Sequence, residues 1–236
     1  MRYYKFYSNK NQNIESITKF RLFASLPDNL NDPFEGLIGV PSIEFKPHAE
    51  EIISRIKTRR CICCLSHSES KSFVEESIQM WAFYANNHKG FCVEFNESIL
   101  EGLTELKENS NEEDVKTTED VYADVQYGLN LLYVPNTFQG TFEAALCHKE
   151  TKWEIEQETR LIFRYPPINN GYIMKKGKGI LIPIKKRECS INSIYLGCRA
   201  TKIVSNALRK FATKYNIPCY MTYPSPDSYR LCMTIL

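Results

Sequence analysis

INSIYLGCRATKIVSNALRKFATKYNIPCYMTYPSPDSYRLCMTI, residues 191–235, indicates the fold class most clearly. Apolar and β-branched residues predict a strand over Ile191–Leu196, and a helix is predicted over Thr201–Tyr215. Two closing strands follow over Pro218–Tyr223 and Tyr229–Ile235, joined by a link of hairpin length. Strands and helices that are interleaved, with a hairpin late in the chain, are typical of an α+β fold rather than a doubly wound parallel sheet.

The remainder of the chain has the same mixture of elements. Further strands are predicted over Arg2–Tyr7, Arg21–Ser25, Cys61–Leu65, Phe91–Phe95, Tyr122–Tyr127, Glu156–Phe163 and Ile180–Ile184. Helices are predicted over Ile14–Phe20, Glu50–Arg59, Glu75–Asn87 and Thr141–Lys152. We therefore predict a single α+β domain over residues 1–236, with a split or mixed, mostly antiparallel sheet and flanking helices. An acidic insertion over about residues 101–120 is expected to be mobile.

Composition excludes several classes of protein. The chain has 236 residues, 43% of them hydrophobic, which suits one substantial core. Its nine cysteines are odd in number and follow no secretory leader, so we expect reduced thiols in a cytoplasmic protein. No apolar run is long enough to span a membrane. Rossmann, Walker and Gly-x-Ser-x-Gly motifs are missing, and no cysteine or histidine spacing predicts a metal site.

The net charge of +2 conceals a strong asymmetry. From Pro166 onward twelve Lys and Arg face only Glu188 and Asp227, so this third carries +10 and the preceding part −8. Such a basic third can hold RNA or DNA, a nucleotide diphosphate, or an acidic protein. It can equally pair with the acidic part of its own fold, and the sequence leaves both interpretations open.

The segment with the most chemical content is KWEIEQETR, Lys152–Arg160. In a strand, Glu156, Glu158 and Arg160 project from one face because side chains alternate. Neighbouring carboxylates repel, which raises the pKa of one of them, whereas a nearby guanidinium favours ionisation. This set suits hydrogen bonds to ribose hydroxyls and the stabilisation of a cationic sugar. The alternative is a solvent-facing strand edge with an ordinary ion pair.

Local structure accounts for most of NDPFE, residues 31–35. Asp32 as N-cap, proline at the first helical position and Glu35 at the third predict a capping box at the start of a helix.

The stretch QMWAFYANNHKGF, residues 79–91, carries an aromatic stripe at helical spacing. Such a stripe is typical of a core, and we expect Trp81 to pack there. Tyr84, His88 and Lys89 approach the predicted end of the helix, where they can face a ligand.

Several of these segments, in the same order, resemble a bacterial family known as domain of unknown function 2971. The resemblance runs from Tyr3 to about Tyr229, and the combination of the tryptophan segment with KWEIEQETR is fairly specific. The matching segments are YYKFYS, NDPFE, CLS, MWAFYANNHKGFCVEF, KWEIEQETR and SIYLG.

A looser resemblance links the chain to the ADP-ribosyltransferases. Those enzymes place a basic residue on a first strand, a serine or tyrosine on a second, and a catalytic glutamate, often in Glu-x-Glu, at the start of a later one. Here Lys5 or Arg2, Ser66 or Ser68, and the Glu156–Glu158 pair stand in that order. The sequence departs from the pattern in having lysine where arginine or histidine is usual, and SHS where STS is commoner.

This second resemblance implies NAD as substrate, bound in the cleft of a split sheet. Glu158 stabilises the ribosyl cation, Glu156 orients or deprotonates the acceptor, and Arg160 holds the glutamates. The cofactor-binding residues implied are Lys5, Tyr7, Ser66, Ser68, Trp81, Tyr84 and Lys89.

The acceptor implied is nucleic acid or protein, and toxin or phage-defence roles, with an antitoxin or other protein partner, follow as a further analogy. Two other hypotheses are a nucleic-acid-binding or nucleic-acid-cleaving protein that uses the basic third, and a non-enzymatic interaction module of a defence complex.

Overall fold

The structure is a computed structural model that describes residues 1–39, 46–100, 121–132, 141–167, 171–184 and 190–236. These residues fall into two compact units. The first unit comprises Met1–Arg21, Ser66–Gly102 and Ile184–Leu236, and the second comprises Leu22–Leu65 and Leu103–Pro183. The acidic insertion predicted at 101–120 lies outside the described residues.

The elements mix strands and helices along the whole chain. The strands are β1 (Arg2–Tyr7), β2 (Arg21–Ser25), β3 (Arg60–Ser68), β4 (Phe91–Phe95), β5 (Val121–Asp124), β6 (Gln126–Gly128), β7 (His148–Glu150), β8 (Glu158–Arg164), β9 (Ile173–Lys175), β10 (Gly179–Pro183), β11 (Ile191–Leu196), β12 (Cys219–Pro224) and β13 (Leu231–Ile235). The α-helices are α1 (Asn11–Thr18), α2 (Lys46–Arg59), α3 (Phe73–Glu76), α4 (Ile78–Phe83), α5 (Thr141–Leu146) and α6 (Lys202–Lys214).

Strands of the first unit follow the order β13, β12, β11, β4, β1, and β1 then pairs with Ser66–Ser68 at the end of β3. The pairs are antiparallel except β11 with β12, which are parallel and joined by the crossover helix α6. On one face of this sheet Tyr4 and Phe6 pack with Trp81 of α4 and with Tyr195.

The second unit is built on strands in the order β5, β8, β3, β2, β10, β9, where β3 contributes its residues 60–65. The pairs β5 with β8, β2 with β3, and β9 with β10 are antiparallel, whereas the short strands β6 and β7 form a separate parallel pair. Helix α2 buries Ile52 and Ile56, one turn apart, against Leu146 and Ile162. The predicted α+β class with a mostly antiparallel sheet is therefore confirmed.

The predicted helix over Glu75–Asn87 is wrong. The chain forms the two short helices α3 and α4 and then a turn in which Asn86, Asn87 and His88 have left-handed backbones, with φ of 48°, 54° and 66°. Asparagine adopts this conformation more readily than most residues. The turn also brings Gly90 so close to β1 that a Cβ there would lie 1.9 Å from a backbone oxygen.

Two other predicted boundaries are wrong because tertiary pairing overrides the local pattern. The helix expected over Thr141–Lys152 ends at Leu146, since His148–Glu150 pairs with β6 instead. The strand expected over Tyr122–Tyr127 divides into β5, which pairs with β8, and β6, which pairs with β7.

No helix in the described parts of the chain combines the length and apolar character needed to cross a bilayer. The eight cysteines in those parts are free thiols.

Candidate carboxylate site

A tight turn leads from β7 into β8. Thr151–Glu156 forms a 3₁₀ helix, and the Glu150 side chain caps its start by accepting a hydrogen bond from the Lys152 backbone N–H at 3.0 Å. Gln157 ends the helix in the left-handed conformation, with φ 42° and ψ 58°. The chain reverses at Gln157 and enters the sheet at the next residue.

This reversal, rather than strand alternation, brings the acidic pair together. Glu156 belongs to the 3₁₀ turn, whereas Glu158 and Arg160 lie on β8. The predicted strand face through all three residues is therefore correct for Glu158 and Arg160 and wrong for Glu156.

Lys149 on β7 joins the two acids. Its Nζ donates to Oε2 of Glu156 at 2.7 Å and to Oε2 of Glu158 at 2.9 Å. The same ammonium lies 4.9 Å from the ring centre of Trp153. The carboxylates therefore share one cation, which offsets their mutual repulsion.

The guanidinium of Arg160 completes the network from the other side. Nε donates to Oε1 of Glu158 at 2.9 Å, and one terminal nitrogen donates to Oε2 of Glu35 at 2.8 Å. The second terminal nitrogen donates to the other oxygen of Glu35 and to the backbone oxygen of Leu146. A terminal nitrogen also donates to Oε2 of Glu158 at 3.3 Å, so Arg160 contacts both oxygens of Glu35 and both oxygens of Glu158, as its planar fork favours.

Glu35 reaches this network because the predicted capping box does not form. Residues 33–36 make a turn and not a helix, and Asp32 accepts a hydrogen bond from the Phe34 backbone N–H at 2.9 Å. The Glu35 carboxylate is directed to Arg160, 125 residues away in sequence. A buried bidentate ion pair outweighs a capping interaction worth about 1 kcal/mol.

The whole network is sealed from solvent. Arg160 is 0% exposed, Glu158 2%, and Glu35, Glu156 and Lys149 each 5% or less. Three carboxylates face two cations, so the cluster has a formal charge of −1. The described residues hold no group of His, Cys, Asp or Glu suited to a metal ion.

Electrostatics keep Glu158 ionised in spite of its burial. Burial raises its pKa, but Arg160 and Lys149 outweigh this effect and lower the pKa to about 2. A hydrogen bond from Cys64 acts in the same direction. Burial lowers the pKa of Lys149, yet Glu158 and Glu156 outweigh it and the pKa is raised.

The residues expected to hold NAD lie mainly on two faces of the first unit. Ser66 and Ser68 pair directly with even-numbered residues of β1, and directly paired residues share a face. Lys5 and Tyr7 alternate with those residues and project from the opposite face, where the Lys5 Nζ lies 5.8 Å from the Tyr7 ring centre. The structure therefore brings Lys5 to Tyr7, and Ser66 to the side of Ser68, but does not bring the two pairs together.

The tryptophan segment contributes one core residue and two more accessible ones. Trp81 is fully buried, its ring meets Phe6 edge to face at 5.2 Å, and its indole N–H donates to the backbone oxygen of Val74. Tyr84 is partly buried against the same cluster, and Lys89 is exposed in the turn that follows.

A further buried carboxylate, Glu94 on β4, was not expected. Its Oε2 accepts a hydrogen bond from the Tyr195 hydroxyl at 2.6 Å, and its Oε1 lies 3.6 Å from Nε of Arg2. Burial, followed by the hydrogen bond to Glu94, raises the pKa of Tyr195. Strand alternation predicts Glu94 on the face opposite to Phe95, but gives no sign that this face is covered.

Sequence reasoning also missed two members of the network around Arg160, which are Lys149 and Glu35. Lys149 is hidden by the prediction of a helix over Thr141–Lys152, and Glu35 by the capping pattern. A lysine close in sequence to two acids was the available signal for Lys149.

One comparison with known proteins bears on this region. Residues 80–161 match the family model described as Protein of unknown function (DUF2971). The matched region begins in α4 and includes Lys149, Glu156, Glu158 and Arg160, and it supports the resemblance to that family. No curated protein and no solved structure matches the chain.

Proposed function

We propose that this chain is an NAD-dependent ADP-ribosyltransferase whose carboxylate site is formed by Glu158 and Glu156. The observation that carries the proposal is the buried cluster of three carboxylates on two cations. Burying an unbalanced charge is costly, so a gain in stability does not explain why the protein has such a cluster. The cluster is therefore a good candidate for a functional site.

The chemistry of these carboxylates fits a ribosyl transfer. When nicotinamide leaves NAD, positive charge develops on the ribose, and a fixed carboxylate stabilises that charge without reorganising. Glu158 is suited to this role because Arg160 and Lys149 keep it ionised. Arg160 acts as a positioning residue, since Glu35 and Glu158 fill its guanidinium.

Substrate must first open the packing that covers Glu158, which is 2% exposed, and then displace a donor there, because both of its oxygens already accept hydrogen bonds. Lys149 is the donor best suited to leave, since it remains bound to Glu156 at 2.7 Å when it releases Glu158. In the proposal a ribose hydroxyl then donates to Oε2 of Glu158, and Glu156 orients or deprotonates the acceptor.

The acceptor we propose is a nucleic acid or a protein, and the biological role a toxin or an antiviral defence effector. A basic final third supports the nucleic acid. The seven residues that the resemblance assigns to NAD stay outside the proposed site, because Lys5 and Tyr7 project from the sheet face opposite to Ser66 and Ser68.

Nicotinamide release tests the proposal. Wild-type protein is incubated with NAD, with and without added RNA, DNA and protein extract, and free nicotinamide is measured by chromatography. We expect Glu158→Gln to reduce release at least about a hundredfold, the scale seen when one electrostatic group at a transition state is removed. Glu154→Gln, at an exposed position of the same turn, is the matched control and is expected to retain wild-type release.

A stability control separates chemistry from structure. Glu158→Gln and Glu35→Gln each remove one carboxylate from Arg160, so both are expected to lower the melting temperature. Only Glu158→Gln is expected to reduce release by about a hundredfold or more. Equal release by Glu158→Gln and wild type, or equal loss in both variants, would show that the network is structural and that the proposal is wrong.

A further inference from the structure

All the charged residues on the exposed face of helix α6 are basic. Its sequence KIVSNALRKFATK contains four cations and no acidic residue. Val204, Leu208 and Phe211 are buried against the unit, whereas the four cations are exposed. They follow helical spacing on the outer side and are Lys202, Arg209, Lys210 and Lys214.

These cations have no acidic partner among the residues that the structure describes. The ion pairs there involve Arg2, Lys19, Arg55, Lys57, Lys149, Lys152, Arg160 and the N-terminal amine, all from the first two thirds of the chain. Within the described parts, the basic third therefore does not pair with the acidic part of its own fold. Its positive charge faces solvent.

Exposed aromatic side chains lie at one end of this helix. Because β11 and β12 are parallel and α6 connects them, α6 begins at the end of the sheet where β12 finishes. The β12–β13 hairpin is at that end, where Ser225 donates its backbone N–H to the oxygen of Arg230. Tyr229 at this hairpin is fully exposed and Tyr223 is 44% exposed.

We propose that the outer face of α6 and the tip of the β12–β13 hairpin form a surface that binds single-stranded nucleic acid. The cations of α6 bind phosphates, and Tyr229 and Tyr223 stack on bases. A basic track beside exposed aromatic rings is the combination that holds single strands without strong sequence preference. Binding at this surface can be measured whether or not the protein has the proposed transferase activity.

The dimensions of the helix suit this role. From Lys202 to Lys214 the axis spans about 18 Å at 1.5 Å per residue. A strand with one phosphate every 3.4 Å or more places about three to five phosphates along that length. Four cations can therefore each contact a phosphate of one strand.

Fluorescence anisotropy of the full chain with labelled 12-nucleotide RNA and DNA of mixed sequence tests the phosphate contacts. Wild-type affinity is expected to fall as salt rises. The triple variant Arg209→Gln, Lys210→Gln, Lys214→Gln is expected to weaken binding at least about tenfold and to reduce the salt slope by about 2. The matched control neutralises Lys175, Lys176 and Lys178 on the β9–β10 hairpin and is expected to change binding much less.

A second arm tests stacking. Tyr229→Ala is expected to weaken binding to single strands at least about fivefold and to leave the salt slope unchanged. Tyr122→Ala, at an exposed aromatic of the second unit, serves as control. Absence of wild-type binding to either nucleic acid, equal losses in the two triple variants, or tighter binding to duplexes than to single strands would each overturn the proposal. The RNA and DNA arms identify which polymer is preferred.

Discussion

At the scale of single residues, the network around Arg160 is a set of mutually dependent charges. Each cation contacts two carboxylates, so no member can be removed without leaving another buried and incompletely paired. The cost of removal is accordingly much larger than for an ion pair on the surface.

Arg160→Met is expected to lower the free energy of unfolding by about 3–5 kcal/mol, because Glu35 and Glu158 would remain buried without their guanidinium. Urea denaturation measures the change. Arg55→Met is the control, since Arg55 pairs with Glu51 on the exposed side of α2 and should cost less than about 1 kcal/mol. Similar losses in the two variants would contradict the buried network.

Acid should weaken the protein through Glu158. Its pKa is about 2 in the folded state against an ordinary 4.5, so the folded state binds the proton less readily than the unfolded one. The stabilisation is complete above pH 4.5 and is lost as the pH falls through 2, with a size of about 3 kcal/mol.

Urea denaturation of wild type and Glu158→Gln across this pH range provides the measurement. The difference in unfolding free energy between the two is expected to shrink as the pH falls from 4.5 towards 2. A difference that stays constant with pH would show that the Glu158 carboxylate does not stabilise the fold.

At the scale of elements, short-range geometry determines where functional side chains emerge. The 3₁₀ turn and the left-handed Gln157 fold Glu156 back beside Glu158, so that both side chains bind Lys149. In a continuous strand the two side chains would instead follow one another along one face of the sheet. The left-handed residues Asn86–His88 similarly prevent the chain from continuing as a helix after α4. They also bring Gly90 into close contact with β1.

Helix α6 depends on its N-cap. The Thr201 side chain accepts a hydrogen bond from the Val204 backbone N–H, so Thr201→Ala is expected to cost about 1 kcal/mol of unfolding free energy. Chemical denaturation checks the value, with exposed Thr213→Ala in the same helix as control. A neutral effect of Thr201→Ala would indicate that water caps the helix equally well.

At the scale of the whole molecule, the proposed function requires that NAD bind the folded chain. Binding at a hundredfold excess over Kd stabilises by about 2.7 kcal/mol, which raises the Tm of a chain of this size by about 5–10 °C. Differential scanning fluorimetry with millimolar NAD measures the shift, and adenosine monophosphate, which lacks the nicotinamide ribose, is the control. No shift at about 10 mM NAD would argue for a non-enzymatic interaction module.

The distribution of charge along the chain is also a property of the whole molecule. The sequence alone left open whether the basic third binds a partner or neutralises its own fold. Within the described residues the cations of this third make no ion pair.

The features that could be predicted from the sequence are local ones. The bounds of β1, β2, β4 and β11 agree with prediction, because hydrophobic alternation and β-propensity act over a few residues. KWEIEQETR also identifies the acidic pair, since clustered charge is visible in sequence.

Only the tertiary structure shows which charged residues contact one another. Glu35 follows a capping pattern yet binds Arg160 at a separation of 125 residues, and Lys149 leaves a predicted helix to pair with β6 and reach the acids. Local preferences are worth about 1 kcal/mol each, whereas a buried charge without a partner costs several. The pairing of buried charges therefore outweighs local preference, and because the contact of Glu35 with Arg160 joins residues distant in sequence, no local pattern could reveal it.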